Sequence, residues 1–318
     1  MPATGDELGQ RLRERDLSAA PAVLNLVESR AAGSKEQIEA LLHAVSPAAL
    51  GGEAPAHVVG VTGPPGVGKS SLLSELVRAW RAAGRSVAVL AVDPSSKRSG
   101  GALLGDRARI AADPDDGAVF IRSMAAGTRL GGLAPATRAA AHALAAAFDL
   151  VVIETVGVGQ SETEIAEVAD TVAVVVQPGG GDVLQFLKSG IMEIPDVLVV
   201  TKADLGSIAL RAERDLVSAL RSLGASDTKV VAVSSISPPT GFDELVEALD
   251  EHRAQLDVPA RRLDARRASA LADFTAEHGE RGLRAVGGRR SALKLLAEQD
   301  AARDVAALTR ALEQAAAS

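Results

Sequence analysis

Three groups of residues have the types and spacing to do chemistry. The first is Gly63-Pro64-Pro65-Gly66-Val67-Gly68-Lys69-Ser70, followed by Ser71. It matches G-x-x-x-x-G-K-[ST] at every defined position. Glycines let backbone N–H groups converge on phosphate oxygens, and a helix N-terminus adds positive potential at the same spot. In such a loop Lys69 reaches the β- and γ-phosphates, and Ser70 ligates Mg²⁺. A glycine-rich turn with a lysine can arise by chance, so context decides. Here an apolar strand (Val58, Val59, Val61) precedes the loop, and Leu72, Leu73, Leu76, Val77 and Trp80 follow at helical spacing.

The second group is acidic. Asp93 ends an apolar run in VDPSS, and Glu154 sits near the end of another in VVIETVGVGQ. Parallel α/β sheets bind ligands at the carboxyl ends of their strands, which sets both beside the phosphate loop. Mg²⁺ takes hard oxygen ligands and keeps several waters, so a carboxylate can act directly or through water. Asp106, in GGALLGD, is a third metal candidate on a glycine-rich connector. The plain alternative for a strand-end Asp is a turn or helix-cap residue. Gly157, three residues after Glu154, stands where a backbone N–H can meet a γ-phosphate and then move away. Lys69, Asp93, Glu154 and Gly157 form the expected catalytic set. Gln160 could orient a water or simply be solvated, and solvated charge is the simpler reading of Arg98, Arg107 and Arg109.

The third group reads a base. Thr201-Lys202-Ala203-Asp204 follows the apolar run 197–200 and fits [NT]-K-x-D. A carboxylate at Asp204 accepts from guanine N1–H and N2–H₂. Adenine offers no such donor pair, so it would leave the carboxylate unpaired. The Lys202 stem can lie along the flat base. Ser234, Ser235 and Ile236, after the next apolar run, sit where backbone N–H groups could contact the guanine oxygen. TKAD alone is a weak signal; its place some 130 residues after the phosphate loop, at a strand end, gives it weight. The expected ligands are therefore GTP and GDP with Mg²⁺.

Composition narrows the alternatives. The chain has 318 residues, with 47% hydrophobic and 24% charged, as in ordinary globular proteins. With no cysteine, disulfides, thiolate metal sites and a cysteine nucleophile are excluded. Net charge is −7 and aromatics are 2% of residues, a poor match to nucleic acid. His43, His57, His142, His252 and His278 show no ligand-like spacing. The N-terminus is polar and acidic, and no uncharged apolar run reaches about 18 residues. The expectation is a cytoplasmic protein with neither membrane span nor signal peptide.

Elements that could position these residues follow from periodicity. Residues 1–50 carry a 3.6-residue rhythm (Leu24, Val27, Ala31; Ile38, Leu41, Leu42, Val45) and predict an N-terminal helical extension. Over 51–256, Val- and Ile-rich runs at 57–63, 86–93, 118–123, 149–157, 171–179, 196–204 and 229–235 alternate with helical stretches. Those stretches fall near 69–83, 133–147, 161–169, 181–194, 207–223 and 241–256. Unbroken apolar strands alternating with helices predict an α/β, doubly wound, mostly parallel sheet of the P-loop NTPase kind. Residues 257–318 read as a C-terminal helical extension divided at Gly287-Gly288. It has too little apolar mass for a core of its own, and the expectation is that it packs on the main domain or on a second chain.

GPPGVGKSS, VDPSSKRSGGALLGD, ETVGVGQSE, QPGGGDVLQFLKSGIME and TKAD together resemble the MeaB/ArgK family of P-loop GTPases, formerly called LAO/AO transport system kinases. The resemblance runs from about residue 10 to about residue 278. It implies Mg²⁺-dependent GTP hydrolysis, slow until a partner accelerates it, and a homodimer formed through the C-terminal extension. It further implies a chaperone for an adenosylcobalamin-dependent acyl-CoA mutase, such as methylmalonyl-CoA mutase, which gates cofactor delivery and protects the enzyme. Within it, Pro178–Lys188 resembles an extra switch segment, with Gly179, Gly180, Asp182, Gln185 and Lys188 as its candidate residues. Two departures stand out: Thr201 replaces the family's usual Asn, and LQFLKSG replaces LQGIKKG, so Phe186 and Ser189 differ.

Two other functions fit a nucleotide loop. A metal-delivery GTPase of the nickel type needs soft or imidazole ligands for its cargo, and this chain lacks cysteine and scatters its histidines. A kinase, as the older family name suggests, needs a second pocket with a general base, and the sequence offers none.

Overall fold

The computed structural model describes residues 3–93, 110–125, 133–155, 165–179 and 195–317, with Asp93 described only as the last residue of its strand. Contacts divide the chain into two compact units, one of residues 57–137 and 148–256, the other of 1–56, 138–147 and 257–318.

The first unit is built on seven parallel strands: β1 (His57–Thr62), β2 (Val87–Asp93), β3 (Val119–Ala125), β4 (Leu150–Thr155), β5 (Thr171–Val176), β6 (Val197–Val200) and β7 (Lys229–Ala232). Their order across the sheet is β3-β2-β4-β1-β5-β6-β7. All seven expected strands are present, and the P-loop NTPase fold class holds. The register explains their composition. β1, β4, β5 and β6 lie inside the sheet and every residue in them is buried, so each position favours Val, Ile, Leu or Ala. The edge strands β3 and β7 are only partly covered, and they alone carry Arg122 and Lys229.

β1 sits between β4 and β5. From it the chain runs one way to β2 and β3, then returns and continues the other way through β5 to β7. The carboxyl end of β1 therefore opens at the point where the direction of winding reverses, the usual ligand position in such sheets. One face of the sheet is covered by helices Lys69–Ala82 and Phe242–Gln255. Leu72, Leu73, Leu76, Val77 and Trp80 of the first and Phe242, Leu245 and Leu249 of the second bury against Val59, Val61, Val89, Val152, Val175 and Val199. Helices expected near 161–169 and 181–194 fall partly or wholly outside the described residues.

At the amino ends of the strands, β1, β5 and β6 share a polar chain. His57 Nε2 lies 2.7 Å from Thr171 Oγ1, that hydroxyl lies 2.8 Å from His252 Nδ1, and His252 Nε2 lies 3.2 Å from Asp196. Asp170 accepts the Val58 N–H at 2.9 Å. Burial pushes His57 down to about 4; Arg253 and Arg85 act the same way, while Asp170 and Asp250 oppose them.

The second unit is helical. Thr4 and Glu7 form a capping box that starts helix Gly5–Arg13, and Asp257 caps helix Val258–Ala285. Residues beyond 256 do have a core of their own, contrary to the expectation above. Leu271, Phe274 and Leu283 of the long helix bury against Leu296 and against Leu308 and Leu312 of the last helix. Non-helical backbone at Gly279 kinks the long helix, and short apolar stretches on either side of it share one core that no single stretch could supply. Arg262 donates to the Ala54 and Ala56 carbonyls at 2.6 Å each, and Arg266 pairs with Glu53 at 2.8 Å. Both arginines are buried, so these partners offset their desolvation. His142 is half-buried in this unit with its Nε2 shut off from solvent, and it is likewise pushed down to about 4, by burial first and then by Arg266 and Arg262 against Asp304. Among the described residues no helix is long and apolar enough to cross a membrane.

These two imidazoles set a pH dependence. Their folded-state values lie below 6.5, so the unfolded chain takes up protons that the folded chain refuses. Their contribution is complete above pH 6.5 and is lost as pH falls towards 4, on the order of 3 kcal/mol for each. Urea unfolding followed from pH 7 to 4.5 should show midpoints falling in the wild type and falling less in a His57→Gln, His142→Gln double variant. Parallel curves for the two proteins would contradict the assignment.

Candidate functional site

The glycine-rich turn joins β1 to helix Lys69–Ala82 at the place where winding reverses. Gly63 has φ 145°, and a Cβ there would lie 2.2 Å from the Val175 carbonyl oxygen of β5. Only glycine lets the chain leave β1 so close to its neighbour. Gly68, at φ 101°, caps the helix in a left-handed conformation with no side chain to block its N-terminal amides. Lys69 is the first residue of that helix and is 92% buried by the loop that curls over it. Its Nζ donates to the carbonyls of Gly63 at 2.7 Å and Pro64 at 3.2 Å. A cation is thus fixed at the centre of the turn. Val67 is buried, Gly63 closes the turn from below, and Pro65, Gly66 and Ser71 face solvent. Ser70 follows Lys69 in the first helical turn, half-buried.

Glu154 is paired in register with Val61 of β1 and Ala91 of β2 and is only 4% exposed. It therefore enters the site from the strand between them, beside the start of the phosphate loop. Thr155 donates to Thr62 at 2.9 Å, which ties the ends of β4 and β1 together. Asp93 ends β2, opposite Ala125 of β3. Asp106, Gly157, Gly180, Asp182, Gln185 and Lys188 lie outside the described residues; of the expected switch segment only Pro178 and the exposed Gly179 lie within them.

The base loop is attached to the phosphate loop by one hydroxyl. Thr201 Oγ1 donates to the Val67 carbonyl at 2.7 Å and lies 3.1 Å from that of Val176. Its backbone N–H also donates to Val176 at 2.9 Å. Thr in place of Asn thus still joins the two loops, because what the junction requires is a buried donor. Lys202 takes a left-handed conformation at φ 58°, and its ammonium donates to Gln177 Oε1. Ser234 Oγ donates to Asp204 Oδ1 at 2.7 Å and accepts from the Ile236 N–H at 3.2 Å. Asp204 is exposed, and the serine holds one of its oxygens so that the carboxylate is aimed rather than free to rotate. Ser235 is half-buried beside it, and Ile236 is exposed.

The structure thus brings Gly63–Ser71, Thr201, Lys202, Asp204 and Ser234–Ile236 into one continuous seam along the carboxyl ends of β1, β5, β6 and β7, with Glu154 flanking it. Sequence reasoning missed Gln177 and Thr62. Gln177 falls inside the predicted run 171–179 and is the residue after β5 as the strand forms, the kind of place ligands are found, but a lone Gln carries no pattern.

Residues 20–283 match the model of a family described as methylmalonyl-CoA mutase-associated GTPase MeaB. A protein of Pyrococcus abyssi that bears a GTPase name is 42% identical over 269 residues, which cover 82% of this chain and 80% of that one. The mitochondrial methylmalonic aciduria type A homolog of Mus musculus is 38% identical over 205 residues, 62% of this chain and 49% of that one. Among solved structures, that of an LAO/AO transport system kinase superposes with a TM-score of 0.66 at 27% identity, over 99% of this chain and 98% of its own. Those matches, over a fold that carries G-x-x-x-x-G-K-S after β1 and TKAD after β6, make this chain a GTPase of the MeaB family.

Proposed function

We propose that the chain hydrolyses GTP in order to regulate an adenosylcobalamin-dependent acyl-CoA mutase, methylmalonyl-CoA mutase or a relative, as its chaperone. The observation that carries this is the match of residues 20–283 to a family described by its association with that mutase. The likeness to the mouse methylmalonic aciduria protein supports the same reading. In this reading the protein gates cofactor delivery and guards the mutase. It works in the cytoplasm as a homodimer joined through its C-terminal extension.

The mechanism follows from the geometry of the seam. Nucleotide binding places the phosphates over the amides of residues 63–70, where Lys69 Nζ exchanges its contacts with the Gly63 and Pro64 carbonyls for phosphate oxygens. Because the lysine is already buried and fixed, it neutralises charge on the γ-phosphate with little rearrangement. Asp204 accepts from the guanine edge, aimed by Ser234. Ser235 offers its backbone N–H to the guanine oxygen, and the Ile236 N–H, which donates to Ser234 Oγ in this structure, would exchange or share that contact with it. Attack by water is then a matter of positioning and charge neutralisation, since the phosphoryl group asks for little covalent help. Ser70, Asp93 and Glu154 offer only hard oxygen donors, a set that fits Mg²⁺, which would neutralise phosphate charge when bound there. Hydrolysis removes the group that Gly157 and the segment 178–188 sense, and the mutase reads the difference.

Lys69→Ala should lower GTP affinity or turnover at least a hundredfold, measured by calorimetry and phosphate release. Asp204→Asn should weaken GTP while favouring xanthosine triphosphate, whose extra carbonyl suits an amide donor. An Asp204→Asn protein that kept its preference for GTP would remove the base-loop assignment. The regulatory reading is tested by measuring phosphate release with and without a cobalamin-dependent acyl-CoA mutase and its cofactor. Slow turnover alone and at least tenfold faster turnover with the mutase is the expected result. Fast turnover that the mutase does not change would overturn it.

A further inference from the structure

The chemistry of the guanine seam accounts for Thr201, Asp204 and Ser234 but leaves one contact unexplained. Lys202 reaches back across β6 to β5, where its ammonium donates to the side-chain oxygen of Gln177. We infer that Gln177 is a positioning residue of the guanine site: its amide holds the Lys202 ammonium so that the lysine stem is laid out in advance for the base. The inference rests on the reading of the TKAD loop as the guanine site and adds a residue to it.

Three observations carry the assignment. First, both ends of the contact are mounted on one rigid seam. Gln177 is the residue after β5, half-buried, between Val176 and the buried Pro178. The carbonyl of Val176 accepts from the N–H of Thr201, the residue before Lys202, and lies 3.1 Å from its hydroxyl. Neither end can drift without breaking the junction that joins the two loops. Second, Lys202 is one of two non-glycine residues with positive φ among those described, at φ 58° and ψ 42°. A left-handed lysine is uncommon and persists where its surroundings fix it, and here its ammonium is held by Gln177. Third, the acceptor is a neutral amide. A carboxylate would fix the ammonium and cancel its charge beside a ligand that carries phosphates. An amide fixes it and leaves the charge in place.

A lysine has the largest store of rotamer freedom among side chains, and ordering it on binding weakens affinity by the amount lost. An anchor present before the nucleotide arrives removes that loss. The effect belongs to Lys202 alone, so it must vanish when the lysine is changed. This separates positioning from a merely structural role.

The experiment is a double-mutant cycle read by GDP affinity in calorimetry. The variants are Gln177→Met, which keeps the length and shape of the side chain but not the acceptor, Lys202→Met, and both together. Thermal melts of each protein without nucleotide are run alongside. Gln177→Met should weaken GDP binding about fivefold in the wild-type background and by less than twofold in the Lys202→Met background, with unchanged melting temperature. Equal losses in both backgrounds, or no loss in either, would overturn the inference. If Lys202→Met itself leaves GDP affinity untouched, the reading of the base loop fails, and the inference falls with it. Should Gln177→Met melt early, Gln177→Ser replaces it in the same cycle, with the same two outcomes deciding.

Discussion

The Val175 carbonyl stands where a side chain on Gly63 would have to go. That contact sets the geometry of everything above it. Because β1 can turn away only there, its exit is a tight loop of glycines, and the loop's amides face inward rather than pairing with a neighbouring strand. Lys69 then has carbonyls of its own loop to bind, Gly63 at 2.7 Å and Pro64 at 3.2 Å. The result is a positive pocket built almost entirely of backbone, with one buried cation at its centre. Such a pocket suits phosphate because its donors are fixed by the fold and need no reorganisation.

Specificity is added by a second loop that is bonded to the first. Thr201 spans from the Val67 carbonyl in the phosphate loop to the Val176 carbonyl at the end of β5. The loop at 201–204 and the loop at 63–70 are therefore tied into one piece. The substitution of Thr for the family's Asn is tolerated for a physical reason: the hydroxyl supplies the single buried donor that the junction needs, and Thr201 is only 5% exposed. Asp204 gains its aim from Ser234, on the far side of β7, and Lys202 its reach from Gln177 on β5. Lys202 and Asp204 are thus each held by a residue that follows another strand, Gln177 after β5 and Ser234 after β7.

The strands were legible because central parallel strands are buried on both faces, which leaves a run of Val, Ile, Leu and Ala such as Leu150, Val151, Val152 and Ile153 of β4. Their ends could be read to within a few residues. Residues 258–317 were harder. Leu271, Phe274, Leu283, Leu296, Leu308 and Leu312 are too dispersed to announce a core, and they meet only through the packing of three helices, the longest kinked at Gly279. The buried arginines Arg262 and Arg266 read as surface charge in sequence, since nothing local shows that the Ala54 and Ala56 carbonyls and Glu53 are waiting for them.

The sequence by itself determined the chemistry that depends on short, fixed spacing. Gly63 to Ser70 must be contiguous to wrap one phosphate group, and Thr201 to Asp204 must be contiguous to edge one base, so both are written as motifs. Tertiary structure alone decided which residues support them. The strand order sets β5 beside β1, which is why Val175 and Gln177 meet residues far away in the chain. It also lays Glu154 between Val61 and Ala91. Those contacts join positions separated by tens of residues through a crossover, and a crossover of almost any length makes the same contact. Spacing therefore carries no trace of them.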